Sequence, residues 1–318
     1  MIDINGAYRW MKRKIFTAIA VLVMMVGIAV MLYPLVSNLL YERQQEELTE
    51  FYADKAEEIP EEEKDEQLEE CRIYNDNLRS GGVLLTDPFE GAQLDPAAHP
   101  YVDLLNITGD GAMGSLEIPA IGVDLVIYHG TDEEVLQKGV GHLQGSSLPI
   151  GGTGTHSVLS AHTGLSSKKL FTDLDQLEEG DVFYIHVLNE DLAYQVDQIK
   201  VVLPSDTEDL QINAEEDYVT LITCTPYGIN SHRLLVRGTR VPYDEAKASE
   251  ERAGKDTAGS WLQDYGKAMI AGLILLAVLG LIAFCIYKRR QNTSETGKRK
   301  RKRHYRYRQH RHRRKRKR

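Results

Sequence analysis

The chain has 318 residues, and its 42% apolar content is enough for one or two packed domains. Three cysteines are too few for a small secreted domain held together by disulfides. The net charge of -9 conceals three unlike regions. Residues 1–35 carry four Lys/Arg and one Asp, residues 36–267 carry 16 Lys/Arg and 45 Asp/Glu, and residues 268–318 carry 18 Lys/Arg and one Glu. This division excludes a uniform, mildly acidic globule and indicates regions in different surroundings.

Two apolar segments, residues 15–35 and 268–287, separate these regions. Each has the roughly 20 residues that a helix needs to cross a hydrocarbon core about 30 Å thick. Lys and Arg lie just before the first segment and just after the second, so both termini (1–14 and 288–318) are predicted to be cytoplasmic and the acidic region extracellular. A buried core helix and a cleaved signal peptide are the alternatives. The first segment is longer than the apolar part of a signal peptide, which favours a retained anchor.

The basic tail, residues 288–318, interleaves Lys and Arg with Tyr and His. Such a composition suits nucleic-acid binding, because Tyr and Arg can stack on bases and pair with phosphates. The tail, however, follows the second apolar segment directly, where a basic stretch contacts the anionic inner leaflet. We therefore expect a membrane-surface anchor rather than a nucleic-acid partner.

The segment from residue 38 to about residue 80 is rich in Glu, Gln and Leu and is predicted to be helical. Pro60 is expected to divide the helix and Gly81–Gly82 to end it. We interpret this segment as a solvated stalk that lifts the following domain off the membrane.

From residue 114 to 243, short strand-forming runs such as DVFYIHVL and YVTLITCT alternate with turn signals, including Asn189–Asp191. Short helices are expected in DEEVLQKGVGHL and around KKLFTDLDQL. No strand–long helix–strand alternation is present, which argues against a doubly wound parallel sheet. The pattern predicts a mainly β domain, a closed or nearly closed barrel of short strands, with residues 244–267 as the linker to the second apolar segment.

The segment TLITCTPYGINSHRLLVRG, residues 220–238, carries the most specific chemistry. A cysteine nucleophile needs a group that favours the thiolate, an acid for the leaving amine and a donor for the oxyanion. Arg233 keeps its charge and offers several N–H donors, and a hairpin would bring it beside Cys224. A disulfide between Cys71 and Cys224 is the alternative.

A histidine is expected to complete this site. His162 is the best candidate on local grounds, because it ends the apolar run HSVLSAH and precedes a Thr-Gly pair. His232 is second: it adjoins Arg233, but neighbouring side chains on a strand point to opposite faces. His156 and His186 are expected to face solvent or to pack at strand edges. For any single histidine, an ordinary packed or exposed role is the alternative.

The segment 220–238 resembles the active-site strand pair of sortases, the membrane-bound cysteine transpeptidases of Gram-positive bacteria. It is most similar to class C, the pilin-polymerising sortases, with their TLxTCTPYGxNxHRLLVRG signature. The similarity extends through HGTDEEVLQKGVGHLQGSSLPIGGTGTHSVLSAHTGL and KLFTDLDQLEEGDVF to Pro242, about 130 residues. It implies a closed eight-stranded sortase barrel over residues 114–243.

The same resemblance implies roles for individual residues. Cys224 would be the nucleophile, His162 the acid and base, and Arg233 the group that holds the substrate and the oxyanion. Class C members often have GHRG where this chain has Ala161-His162-Thr163-Gly164. The histidine is retained, so the departure bears on substrate preference.

The sequence LLTDPFEG contains Asp87-Pro88-Phe89, which is similar to the DPW/DPF lid motif of pilin-type sortases. By itself this tripeptide is more often just a turn. The resemblance implies a lid at about residues 84–91 within a stalk-and-lid region 36–113, with Asp87 paired to Arg233 and Phe89 shielding the thiol. Residues 148–152 (LPIGG) loosely resemble the signal that sortases cut, but they lie in mid-domain and are interpreted as a loop.

Taken as a whole, the resemblance implies a two-pass membrane enzyme with an extracellular catalytic domain. It would cleave an LPxTG-like signal on a secreted pilin or surface protein through a Cys thioester and transfer the acyl group to an amine, a pilin lysine. Attachment of surface proteins to a cell-wall precursor and a purely hydrolytic cysteine peptidase are open alternatives. A non-enzymatic surface module with an inert Cys224 is a third. This chemistry uses no cofactor and no metal, and the sequence has no Cys/His metal-ligand spacing.

Overall fold

The computed structural model describes residues 4–81, 85–89, 100–165, 167–253, 265–282 and 285. The chain divides into two compact units, Met1–Leu262 and Gln263–Arg318. The basic tail 288–318, the ends of the expected lid and the second half of the expected linker lie outside the described residues.

Four helices and eight strands make up the first unit. The helices are α1 (Ile4–Glu58), α2 (Glu61–Gly81), α3 (Glu133–Lys138) and α4 (Tyr243–Ala253). The strands are β1 (Ala112–Ile118), β2 (Val123–His129), β3 (Val140–His142), β4 (Thr155–Ser160), β5 (Val182–Val187), β6 (Glu190–Val202), β7 (Asp217–Thr225) and β8 (His232–Val241).

The strands close into a barrel in the order β1-β2-β3-β4-β7-β8-β6-β5, which confirms the predicted fold. Two neighbouring pairs are parallel, β2 with β3 and β4 with β7, and the others are antiparallel. Closure leaves no strand edge unpaired, so the short strands need no partner molecule.

Two expected helices differ in the structure. Helix α3 ends at Lys138, and the next residues form β3 instead of a further helical turn. Gly139 lies so close to β2 that an added Cβ would be 2.7 Å from the Val126 carbonyl oxygen, and β3 pairs with β2 to close the barrel. Around KKLFTDLDQL the expected short helix is limited to the 3-10 helix Leu174–Gln176.

The barrel buries apolar side chains on both faces of its sheet. Leu221 of β7 belongs to the main core inside the barrel, whereas Ile222 belongs to a smaller cluster with Val158 and Leu235. Because successive side chains of a strand point to opposite faces, this smaller cluster covers the outer face of β4, β7 and β8. Its remaining members are Leu85, Leu143 and Leu210, with Phe89 and Val202 packed against them.

Helices α1 and α2 pack against the barrel instead of holding it away as a solvated stalk. The predicted break at Pro60 is confirmed. Tyr52 of α1 is buried, and its hydroxyl donates to the Met113 carbonyl oxygen at 2.7 Å. Asn75 of α2 donates to the carbonyl oxygen of Leu148 (3.3 Å) and accepts from its N–H (2.7 Å). The sequence suggested a stalk because Glu and Gln dominate this segment. The few side chains that face the barrel determine how α1 and α2 pack.

Gln45 provides a test of this packing. Its side chain is buried, its amide donates to the Lys138 carbonyl oxygen and its carbonyl accepts from the Val126 N–H. We expect Gln45→Ala to lower the free energy of unfolding by about 1–3 kcal/mol, because buried polar groups lose their partners. Gln44→Ala, at the exposed neighbouring position, is the control and should change it by less than about 0.5 kcal/mol. Equal effects in a denaturant titration would mean that α1 does not dock.

Two helical stretches have the length and composition to cross a membrane, Lys14–Glu58 and Tyr265–Ile282. Their most apolar windows have mean hydropathies of 2.8 and 2.1, and no part of either window is buried. Before the second stretch, α4 packs on the barrel, where the Tyr184 hydroxyl donates to Glu250 at 2.9 Å. The first part of the expected linker is therefore a docked helix.

Candidate active site

Strands β7 and β8 form the expected hairpin and place Cys224 directly opposite Arg233. The connecting loop is tightened by the N–H groups of Ile229 and Asn230, which both donate to the Pro226 carbonyl oxygen at 3.0 Å. Cys224 shares the outer face with Ile222, two residues before it, and Arg233 shares that face with Leu235. The thiol and the guanidinium therefore lie on the same outer face of the sheet.

His162 follows the end of β4, the parallel neighbour of β7. Ser160 is in register with Ile222, and the Ala161 N–H donates to the Ile222 carbonyl oxygen at 3.2 Å. The Thr223 hydroxyl donates to the Ala161 carbonyl oxygen at 2.8 Å, which ties the residue before His162 to the residue before Cys224. The fold thus brings the histidine and the cysteine to the same end of adjacent strands.

The segment from Leu85 to Phe89, which we call the lid, lies over this site. Asp87 forms a two-pronged ion pair with Arg233, with Nε to Oδ1 at 2.8 Å and Nη2 to Oδ2 at 2.5 Å. The Phe89 ring lies 5.1 Å from the Arg233 guanidinium carbon and 5.8 Å from the His162 ring centre. One aromatic ring therefore contacts both predicted partners of the cysteine. Asp87 and Arg233 are both buried, so each satisfies the charge of the other.

The Cys224 thiol is 9% exposed and free of any disulfide. Burial raises its pKa, Arg233 lowers it and Asp87 raises it, and the net shift is upward. Since the thiolate is the nucleophilic form, this arrangement holds the cysteine in its less reactive state. The alternative of a Cys71–Cys224 disulfide is wrong: Cys71 is also free, and it is buried in the main core on the inward face of α2.

Asp87→Asn is expected to speed alkylation of Cys224 by about ten-fold or more, because it removes the buried ion pair and the carboxylate that raises the pKa of the thiol. The alkylation rate should rise with pH in both proteins, and the curve of the variant should lie at lower pH. Asp197→Asn is the matched control, because Asp197 pairs with Arg237 and the substitution removes the same charge. Equal labelling rates for wild type and Asp87→Asn would show that the lid does not protect the thiol.

Other histidines among the described residues have structural partners. His156 is buried, against expectation: its ring nitrogens contact the Gln211 carbonyl oxygen (2.9 Å) and the Thr220 hydroxyl (2.7 Å), and burial lowers its pKa to about 4. His142 is also buried, and burial again lowers its pKa to about 4. His232 contacts the Ser231 hydroxyl and, being next to Arg233, points to the other face.

His186, near the end of β5 and partly exposed, lies between two carboxylates. Burial acts to lower its pKa, but hydrogen bonds to Glu117 and Asp191 outweigh burial and raise it. It faces a surface cavity of about 400 Å³, and another cavity, of about 430 Å³, lies between α1 and residues 122–125. Cys224 does not line either of these two cavities, and the lid covers the sheet at its position.

One contact of His162 involves a residue that the sequence did not single out. The Glu133 Oε2 lies 3.4 Å from the His162 Nε2. Glu133 is in the first turn of α3, and 29 positions separate it from the histidine. The only sequence signal is Asp132, the N-cap, which predicts where the helix begins but not which strand end it faces.

Comparisons with known proteins agree with this geometry. A family profile described as "Sortase domain" matches residues 116–241. Sortase D of Bacillus subtilis (strain 168) is 33% identical over 133 residues, which are 41% of this chain and 64% of that protein. The matched stretch therefore spans just under two thirds of this curated relative.

Solved structures match over nearly their whole length. Sortase C-1 from Actinomyces oris is 47% identical, with a TM-score of 0.53 over 56% of this chain and 99% of that chain. Sortase C-1 from Streptococcus pneumoniae is 46% identical, with a TM-score of 0.57 over 62% of this chain and 99% of that chain. The barrel, the hairpin with its cysteine and arginine, and these similarities lead to one conclusion: the chain belongs to the sortase family, the cysteine transpeptidases, and to its class C.

Proposed function

We propose that this chain is a membrane-anchored cysteine transpeptidase that polymerises pilin subunits. It cleaves an LPxTG-like signal on a secreted protein and transfers the acyl group to a lysine amine. The observation that carries the proposal is the direct pairing of Cys224 with Arg233 beside the end of the strand that leads to His162. A pilus role is supported by solved relatives, one of which is described as a pilus-related sortase C of Group B Streptococcus and is 44% identical.

In the first half-reaction, the Cys224 thiolate attacks the carbonyl carbon of the scissile bond and a tetrahedral oxyanion forms. Arg233 donates N–H groups to this oxygen, which is the role that a fixed guanidinium can fill. The imidazolium of His162 gives its proton to the departing amine, and the C–N bond breaks to leave a thioester.

In the second half-reaction, the incoming lysine amine attacks the thioester carbon. His162, now neutral, takes the proton of the amine, and the Cys224–carbon bond breaks to release the thiolate and a new amide. The lid must first leave the site, because Asp87 occupies the N–H groups of Arg233 that the oxyanion would use. When the lid moves away, Asp87 and Arg233 both become exposed to solvent, so neither charge is left buried without a partner.

The two apolar helices are proposed to be membrane spans, with the barrel outside the cell and both termini inside. An enzyme and a substrate that are tethered to the same membrane meet at a raised effective concentration. This gives the spans a function beyond topology.

The test uses the full chain in detergent with an LPxTG-type peptide, alone and with a lysine-containing pilin peptide or a cell-wall-type oligoglycine amine. We expect an amide product that forms preferentially with the lysine peptide. Preferential amide formation with the oligoglycine amine would favour cell-wall attachment, and free acid alone in the presence of both amines would favour a hydrolytic peptidase. A chain that leaves the peptide intact even as the Asp87→Asn variant would contradict the proposal.

A further inference from the structure

We propose that Glu133 is a positioning residue for His162: its carboxylate orients the imidazole and pairs with the ring when the ring carries its proton. This inference rests on the proposed function of Cys224 and His162. It adds the Glu133 carboxylate beside His162, the proposed acid, as in sites where a carboxylate orients a catalytic histidine.

Both oxygens of the Glu133 carboxylate have a partner. The Gln137 side chain, one helical turn further on, donates to Oε1 at 2.7 Å, and Oε2 lies 3.4 Å from the His162 Nε2. The helix itself is fixed, because the Asp132 side chain accepts from the Val135 N–H at 3.1 Å and Leu136 is buried. A capped helix therefore presents a carboxylate in a defined orientation.

The surroundings of the imidazole support the same arrangement. The His162 side chain is only 19% exposed, and its Nε2 is buried without a hydrogen bond to any described residue. At 3.4 Å the Glu133 contact has the reach of an ion pair once the ring carries its proton. The Phe89 ring lies against the imidazole from the lid. The ring is thus held between an aromatic group and a carboxylate.

Two carboxylates serve this site, and they differ in where they are attached. Asp87 is on the lid and pairs with Arg233, whereas Glu133 is on α3 and faces His162. Cys224 on β7 is a further titratable group at the site. Lid movement would remove the negative charge from Arg233 but leave the charge at His162. The arginine would be freed for the substrate while the histidine keeps its carboxylate partner.

The test compares Glu133→Gln with Glu134→Gln in the full chain, both with the Asp87→Asn lid background. Glu134 is exposed in the same helical turn, so the control removes the same charge from the same helix end. We expect Glu133→Gln to lower kcat by about three- to five-fold, as the loss of a largely exposed ion pair would, with KM changed by less than about two-fold. The alkaline limb of its kcat profile should move to lower pH, while Glu134→Gln resembles the parent.

A spectroscopic measurement keeps the inference testable apart from turnover. NMR of isotope-labelled histidines, with the His162 signal assigned from His162→Gln, should show that the ring loses its proton at lower pH in Glu133→Gln. Identical titration of Glu133→Gln and Glu134→Gln would overturn the inference even if transpeptidation is confirmed. If the His162 titration shifts as expected in Glu133→Gln but the protein has no transpeptidase activity, the proposed function is overturned. The inferred contact between Glu133 and His162 would then still stand. Lower kcat with an unchanged pH profile would indicate a purely structural role and would also overturn the inference.

Discussion

Replacing Cys224 with alanine is expected to abolish both peptide cleavage and amide formation, with a loss in kcat of roughly a thousand-fold or more. The substitution removes the sulfur that forms the thioester, and no other described residue on this face supplies a nucleophile opposite Arg233. Because the side chain is small and lies at a strand end, the barrel should remain folded.

Cys71→Ala is the matched control for this experiment. Cys71 is also a buried free thiol, but it lies on α2 and packs into the main core. Its loss should lower stability modestly and leave kcat near that of the parent. Cleavage by folded Cys224→Ala protein, measured by chromatography of the peptide, would remove the cysteine from the mechanism.

The second large effect is expected for Arg233→Lys, which should lower kcat by about 100- to 1,000-fold, as the loss of an oxyanion donor does. Lysine keeps the charge but cannot offer the two parallel N–H groups that Asp87 accepts in the closed site. The same variant should alkylate Cys224 faster, because the lid has lost its two-pronged partner. Slower turnover with faster labelling distinguishes a defect in catalysis from a closed or misfolded site.

Arg237→Lys is the control on the same strand. Arg237 pairs with Asp197 and lies 4.2 Å from the Tyr218 ring, so its guanidinium has structural partners of its own. We expect activity within about two-fold of wild type. Equal kcat values for Arg233→Lys and wild type would show that the guanidinium geometry is not used in the reaction.

The part of the site that lies on one hairpin could be predicted from the sequence. A strand-forming run, a turn with Gly228 and a second run leave one arrangement, in which Cys224 returns beside Arg233. The break at Pro60 was predictable for the same local reason, because proline has no N–H for the helix and restricts the residue before it.

Contacts between distant segments could not be predicted in the same way. The sequence did not predict strand β3, because three residues are too few to show the alternating pattern of a strand. Its pairing with β2 depends on barrel closure. The docking of α1 depends on a few inward residues such as Gln45 within an acidic, polar surface. Glu133 looks like any acidic residue in a first helical turn until the fold places α3 beside His162.

The lid is an intermediate case. The tripeptide Asp87-Pro88-Phe89 is common in turns, and only the family resemblance gave it a role. The ion pair of Asp87 with Arg233 that the resemblance implied is present, and the structure adds the contact of Phe89 with His162, which does not follow from spacing across more than 70 residues. Sequence therefore identified the residues of the site, while the fold was needed for their partners.

The most direct measurement is the intact mass of the protein after incubation with an LPxTG-type peptide, followed by peptide mapping. The account predicts one acyl group, attached through a thioester to Cys224, which disappears when a lysine peptide is added and is absent from Cys224→Ala. Cleavage of the peptide with no adduct at Cys224, or with the acyl group on another residue, would contradict it.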